Sequence, residues 1–492
     1  MKTAIIGGGV GGLISALYLS KLGADVTIFE KSNKLGGRLT FVEYDDFKID
    51  EGPTIILLPQ IIMEILAETG VDASPLEMIQ IDPMYPLHFP DGTTFLKWSD
   101  RRRQKEEIEH HFPGEEESFE TYVADMRDRF EKGEKAFLQK DFSKKRSFWT
   151  KENMKTLLKL KAYQTVKAQT GVYFKSKQLR EAFAFQTLYI GGSPKQTPAL
   201  YSLIPFSEHE HGIWYLKGGY ARLVSLLTEE VEKRGITTQY ESEVTNVTVK
   251  ENRVESITVR EKQYSFDKFI FNGDFPLIEK MVMKKSTRSY TPSSGTLLLY
   301  LGFDGHLPTE HMHQFFMGND LDSLMDDIFD KQVLPEDPSI YLFTPSKYDA
   351  SLAPSGKSVA YILVPVPSNT SISRDDYDKF AEKILDVLSE RLNDNLLEKL
   401  LWKKMRTPHE AKADGLFGGG SFGIAPTLFQ SGVFRPQVKP FPYENAYAVG
   451  ASIHPGGGIP IVMQGARLLA KVLEEENSFA RRGTDYESKR SV

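Results

Sequence analysis

The chain has 492 residues, a formal net charge of -6, 40% hydrophobic and 26% charged residues, and no cysteine. It is too long for one simple core, so two or three domains are expected. Disulfides, thiolate catalysis and cysteine-ligated zinc are excluded, the acidic balance argues against general nucleic-acid binding, and no apolar run approaches the ~20 residues of a membrane span.

The first elements form one recognisable unit. An apolar run, Thr3 to Ile6, leads into Gly7-Gly8-Gly9-Val10-Gly11-Gly12; a helix-compatible stretch, Leu13 to Leu22, follows, then a second apolar run, Val26 to Phe29, ending on Glu30. This is the strand, glycine turn, helix, strand and acid of a dinucleotide-binding unit. Gly7 permits the tight turn, Gly9 lets backbone approach a pyrophosphate, and Gly12 lets the helix pack close to the sheet. Val10 and Gly11 open the helix, whose free N–H groups favour an anion. Glu30 is placed to accept hydrogen bonds from ribose hydroxyls. Lys31 follows it, and a second glycine pair, Gly36-Gly37, precedes Arg38, whose fork of donors suits a diphosphate. Gly52-Pro53-Thr54 comes soon after. Because the chain starts on the first strand, no signal peptide is expected.

From about 100 to 211 the character changes. Arg, Lys and Glu dominate, and apolar residues recur at helical spacing, as in Met154, Leu157, Leu158 and Leu160. This reads as a helical insertion, and its basic stretch after Glu152 suits either a solvated helix face or the surface of an anionic bilayer. The run Ser207-Glu208-His209-Glu210-His211, taken as extended, puts His209 and His211 on one side, but a metal site is not expected. After Gly212 come a helix to about Arg234, alternating strands that include Val244, and a short strand ending at Asn272-Gly273-Asp274. Strands such as Thr296–Leu301 and Val359–Val364, with helix Tyr377–Leu392, read as a second, α+β domain. At the C-terminus a strand runs into Gly450-Ala451-Ser452-Ile453-His454-Pro455-Gly456-Gly457-Gly458-Ile459-Pro460, and a helix begins near Pro460. The tail from 477 to 492 is charged and expected to be disordered.

The glycine turn with Glu30 and Gly36-Gly37-Arg38 resembles flavoproteins built like the amine oxidases, protoporphyrinogen oxidase and the carotenoid desaturases. The block Gly450–Pro460, the segment Phe185–Gly191 and the run Pro426-Thr427-Leu428-Phe429-Gln430-Ser431 resemble the bacterial-type phytoene desaturases, closest to the C30 4,4′-diapophytoene (dehydrosqualene) desaturases. The resemblance implies an α/β Rossmann-like FAD-binding domain from 1–75, 212–285 and 411–476, an α+β substrate domain from 76–99 and 286–410, and a membrane-associated helical insertion, 100–211. It implies noncovalent FAD, a long apolar isoprenoid substrate, and attachment at the inner face of the cell membrane from the cytoplasm. On this reading Gly450, Ala451, Gly458, Ile459 and Pro460 meet the flavin end of the cofactor and Val244 its adenine through backbone groups. The last strand lacks the acid such folds usually carry there. His454 is the acid–base candidate because imidazole titrates near neutrality. Phe185, Tyr189, Trp214, Phe422 and Phe429 are candidate tunnel residues, each also readable as core packing. The expected reaction is successive desaturation of 4,4′-diapophytoene; the alternatives are terminal oxidation of a C30 carotenoid, a non-redox prenyl-lipid binder, and a soluble amine oxidase.

Overall fold

The computed structural model describes residues 1–488, with side chains described through Glu476 except that of Lys145. Five parallel strands form one sheet: β1 (Lys2–Ile6), β2 (Asp25–Phe29), β3 (Thr237–Gln239), β4 (Lys268–Asn272) and β5 (Ala446–Val449), in the order β5-β4-β1-β2-β3. Apart from the polar edge strand β3, its strands carry short apolar runs, as a sheet covered on both faces requires. Helix α1 (Val10–Lys21) is buried from Val10 through Leu19, so it is apolar on every side. It packs among α2 (Gly219–Lys233) and α3 (Ile459–Ser488). The expected disordered tail therefore begins inside α3, and its side chains and last four residues lie outside the described residues.

A seven-stranded mixed sheet joins Tyr85–His88 and Thr94–Lys97 to strands from Gly295 to Arg406. Strands Gly295–Asp304 and Lys357–Val366 pair antiparallel along their whole length. Alternation decides what each residue meets. Leu297, Leu299, Leu301 and Phe303 pack with Tyr377, Ala381, Ile384 and Leu388 of helix Arg374–Leu392. Leu298, Tyr300, Phe315, Tyr341 and Tyr361 point to the opposite face. That helix begins with a capping box, Ser373 with Asp376, and ends on Asn393 in the left-handed region.

Residues 100–211 are helical, as expected, but not as one long basic helix. Helix Lys151–Lys159 ends before a second one, Val166–Tyr173. The run Leu203–His211 is also a helix, not an extended segment. Residues two apart on a helix diverge by about 200°, so His209 and His211 separate: His209 packs against Phe119 and Phe183, His211 against Phe130. Among the described residues no acidic and histidine cluster could hold a metal ion, and no helix is long and apolar enough to cross a membrane.

Candidate functional site: a cavity from the glycine turn to an apolar rim

One cavity of ≈ 1170 Å³ runs from the C-terminal ends of β1, β2 and β4 to the helical insertion. It exceeds the roughly 300–1,000 Å³ of ordinary small-molecule pockets. At the sheet end, Gly7, Gly9, Val10 and Gly11 line it. Gly9 caps α1 without a side-chain hydrogen bond, so the first-turn N–H groups have no partner within the helix. Gly12 is not on the wall. A Cβ there would stand 2.2 Å from the Gly7 carbonyl oxygen, so glycine is required for helix and turn to touch. Gly7 itself adopts φ +103 beneath the Asn272 carbonyl.

Glu30 is buried on the same wall. Its Oε2 accepts from the Gly8 N–H at 2.7 Å and its Oε1 from the Ser32 N–H at 2.9 Å and hydroxyl at 2.7 Å. Oε1 is thus fully used, and Oε2 keeps lone-pair capacity for one further donor. Val244 lines the cavity beside Ser242 and Glu243, and the Ser242 N–H donates to the Glu30 carbonyl at 2.7 Å. Lys31 also reaches the wall and donates to the Asp414 carbonyl.

The other half of this end comes from distant sequence. Gly37, Arg38, Gly52, Pro53 and Thr54 meet Gly450, Ala451, Gly458, Ile459 and Pro460 around the same space. Arg38 donates to the Ser421 carbonyl; its exposed surface faces the cavity it lines, while the surrounding protein lowers its pKa by desolvation. Arg435 is buried and holds the turn after β5, donating to the Ala451 carbonyl at 2.5 Å and the Gln430 carbonyl at 3.0 Å.

The last strand lacks an acid, but one stands just beyond the neighbouring strand. Asp274, just beyond β4, lines the cavity, accepts from the Ser452 hydroxyl and takes the Phe417 N–H at 2.9 Å. Asn272 donates to the Gly7 carbonyl at 3.0 Å and borders the glycine turn. Sequence marks Asn272-Gly273-Asp274 only as a strand end, but ligands of open parallel sheets bind beyond strand C-termini, which is the signal that points to both residues.

His454 lines the cavity but is committed elsewhere. Its Nε2 lies 3.0 Å from the Phe137 carbonyl and 3.1 Å from the Lys140 carbonyl, both in the insertion. Burial lowers its pKa to about 4. The ring is thus a neutral donor fastening the insertion to the C-terminal block, and the expectation of a base poised near neutrality gives way.

Of the tunnel residues, Phe185, Tyr189 and Phe422 line the cavity. Trp214 does not: it sits on strand Ile213–Leu216, donating to the His211 carbonyl at 2.8 Å. Phe429 is 69% exposed and packs only its edge against Phe434. Aromatic character is their only link to a tunnel, and a local sequence does not reveal which face a short strand or a 3-10 turn presents. The cavity opens between Trp149, Leu158 and Tyr163 of the insertion and Leu428 and Phe434, all exposed.

These features fit FAD: a glycine cradle that a Cβ would fill, a carboxylate with one spare acceptor site beside it, and a cation facing the same space. The family model for flavin-containing amine oxidoreductases matches residues 10–473. A 4,4'-diapolycopen-4-al dehydrogenase of Metabacillus indicus is 50% identical over 98% of this chain and 99% of its own. A 4,4'-diapophytoene desaturase (4,4'-diaponeurosporene-forming) of Staphylococcus haemolyticus is 32% identical over 97% and 99%. The solved structure of an oxidoreductase from Methanosarcina mazei shares the fold at TM-score 0.67 and 16% identity, covering 96% of this chain and 100% of that one. The chain therefore belongs to the flavin-containing amine oxidoreductases, in their carotenoid-desaturase branch, and is an FAD-dependent oxidoreductase.

Proposed function

We propose that this enzyme desaturates C30 carotenoid precursors of the 4,4′-diapophytoene class. The observation that carries the reading is the single cavity, which joins the dinucleotide cradle to an aromatic and aliphatic passage open at an apolar rim. A long hydrocarbon without polar handles needs such a passage. Bound FAD supplies the hydride acceptor. The glycine turn, Glu30, Val244 and Arg38 would hold its adenosine and diphosphate half; Gly52–Thr54 and Gly458–Pro460 would hold the ring half. The chain's remaining task is orientation and exclusion of water, which Phe185, Tyr189, Phe422, Tyr361 and Leu363 perform from the wall. Sections 1–75, 212–285 and 411–476 act as the cofactor unit, 76–99 and 286–410 as the substrate unit, and 100–211 as the cover.

The test is co-expression with a synthase that supplies 4,4′-diapophytoene. Conjugated C30 polyenes are expected in the pigment extract; a colourless extract with flavin-loaded enzyme present would sink the reading. The 50% identity to a diapolycopen-4-al dehydrogenase favours a second reading, oxidation at the chain end. It predicts that a C30 polyene aldehyde is consumed to a more oxidised end group while diapophytoene is left unchanged.

The rim supports contact with a bilayer. Trp149 is 56% and Leu158 67% exposed, and Lys144, Arg146, Lys151, Lys155 and Lys159 are exposed around them. Aromatic and aliphatic side chains among lysines suit the surface of anionic lipids at the inner face of the cell membrane, where each lysine adds about 1 kcal/mol. Changing both Trp149 and Leu158 to Asp is expected to cut co-sedimentation with anionic vesicles at least tenfold while leaving bound flavin intact. Unchanged co-sedimentation would remove the rim from the membrane account.

A further inference from the structure

The seven-stranded sheet floors the passage, and its register marks where that floor stops. Arg406, Leu298, Leu363, Tyr341 and Phe315 are successive cross-strand neighbours on adjacent strands. All of them line the cavity. At about 4.8 Å from strand to strand, the row is about 19 Å long. Its first member is charged, and Arg406 pairs with Glu51 at 3.2 Å and Asp414 at 2.5 Å at the cofactor end. The rest of the row is aliphatic or aromatic. The next neighbour, Leu87 on strand Tyr85–His88, is fully buried and does not line the cavity.

Phe315 ends the row because other rings close around it. Its ring centre lies 4.8 Å from that of Tyr341, 4.8 Å from Phe185 and 4.9 Å from Tyr85. Phe185 opens the 3-10 turn Phe185–Ile190 of the insertion and lines the cavity. Tyr85 touches both phenylalanines from behind and is not on the cavity wall. A buried carboxylate fixes this arrangement. Glu208 accepts from the Tyr85 hydroxyl at 2.7 Å and from the Gln186 amide at 3.1 Å, so it holds both the ring behind the wall and the residue next to Phe185. Glu208, Tyr85 and Gln186 are fully buried. A chain end that pushed them aside would strand buried polar groups, so this wall yields less than an aliphatic one.

We propose that Phe185 and Phe315 are the stop against which one end of the substrate rests, and that the distance from this stop to the flavin selects C30 over C40 chains. The C40 analogue of 4,4′-diapophytoene has the same central part and one more isoprene unit at each end. Against a fixed stop, the longer chain holds the corresponding bond one isoprene unit away from the flavin. Its other half is free to extend through the open rim, so the stop acts on which bond is presented. This rests on the reading of the enzyme as a C30 desaturase and assigns its chain-length selection to named residues.

The experiment compares flavin-loaded wild type with Phe185→Ala and Phe185→Leu. Under anaerobic conditions, loss of flavin absorbance is followed in a single turnover with 4,4′-diapophytoene and with its C40 analogue in detergent micelles. Wild type is expected to be reduced at least about tenfold faster by the C30 chain. Phe185→Ala should raise the C40-to-C30 rate ratio about tenfold, and Phe185→Leu should raise it less. Phe316→Ala is the control: it removes an equal ring from the opposite face of the same strand and should leave the ratio unchanged. A general loosening of the fold lowers both rates and does not move the ratio. Equal wild-type rates would overturn the assignment, as would an unchanged ratio in the Phe185 variants that retain flavin, or an equal rise in Phe316→Ala. If neither hydrocarbon reduces the wild-type flavin, the C30 desaturase reading itself falls.

Discussion

Replacing Gly12 by valine yields a protein that purifies without flavin. The added Cβ would lie 2.2 Å from the Gly7 carbonyl oxygen, and that obstacle is backbone that cannot rotate away. Helix α1 must move off the sheet, carrying the Val10 and Gly11 N–H groups away from the cavity. Overpacking of this kind costs about 1–3 kcal/mol even where side chains can adjust. Against a fixed carbonyl the upper end applies, and about 3 kcal/mol is about a hundredfold in Kd. The measurement is the flavin absorbance retained after gel filtration, followed by titration of apoprotein with FAD. Gly23 gives the control: its φ is +79, a region that asparagine tolerates, and nothing lies within 4 Å of an added Cβ, so Gly23→Asn should keep its flavin. Equal flavin content in Gly12→Val and wild type would mean that the turn does not carry the cofactor.

A second large effect is expected in acid. His313 and His454 are both buried, and burial lowers their pKa values to about 3 and about 4. In the unfolded chain both take up protons near pH 6.5. The folded state resists protonation until far lower pH, so their contribution is complete above pH 6.5 and is lost as pH falls from there toward 4. By pH 4 each removes about 3 kcal/mol, set against a typical total of about 5–15 kcal/mol. Urea unfolding at pH 7, 6, 5 and 4 should show this decline, and His454→Gln should flatten it while keeping a donor toward the Phe137 and Lys140 carbonyls. The same variant separates anchor from base: an anchor leaves the pH profile of activity in place, whereas a catalytic base takes one limb away with it.

The cofactor end of the cavity was legible because its chemistry needs rare residues at fixed spacing. Gly7, Gly9 and Gly12 follow a strand, and Glu30 ends the next one; no other arrangement uses that pattern so economically. Arg38 and the Gly450–Pro460 block were legible through resemblance and meet the same space, though more than 400 positions separate them along the numbering. Asp274 and Asn272 escaped notice because their value depends on which strands become neighbours. Only when β4 lies between β1 and β5 does the acid after β4 stand in for one after β5. His454 misled for a related reason. Its pKa in isolation suits catalysis, but the carbonyls that occupy its Nε2 come from a separate insertion. Trp214 and Phe429 show that aromatic character alone does not tell a wall from a surface.

The order of strands also governs when the enzyme can become active during its synthesis. β1 and β2 are synthesised together, yet the sheet around them waits for β3 and β4, more than 200 residues later, and for β5 after a further stretch of more than 170. Until Ala446–Val449 has emerged, β4 remains an open edge, and the turn that closes the flavin end does not exist. The nascent protein must therefore hold an exposed apolar strand edge through most of its translation, a state prone to misassembly. Flavin capture thus waits for Ala446–Val449 and the turn after it, because the wall they form meets Gly7–Gly11 around the same space.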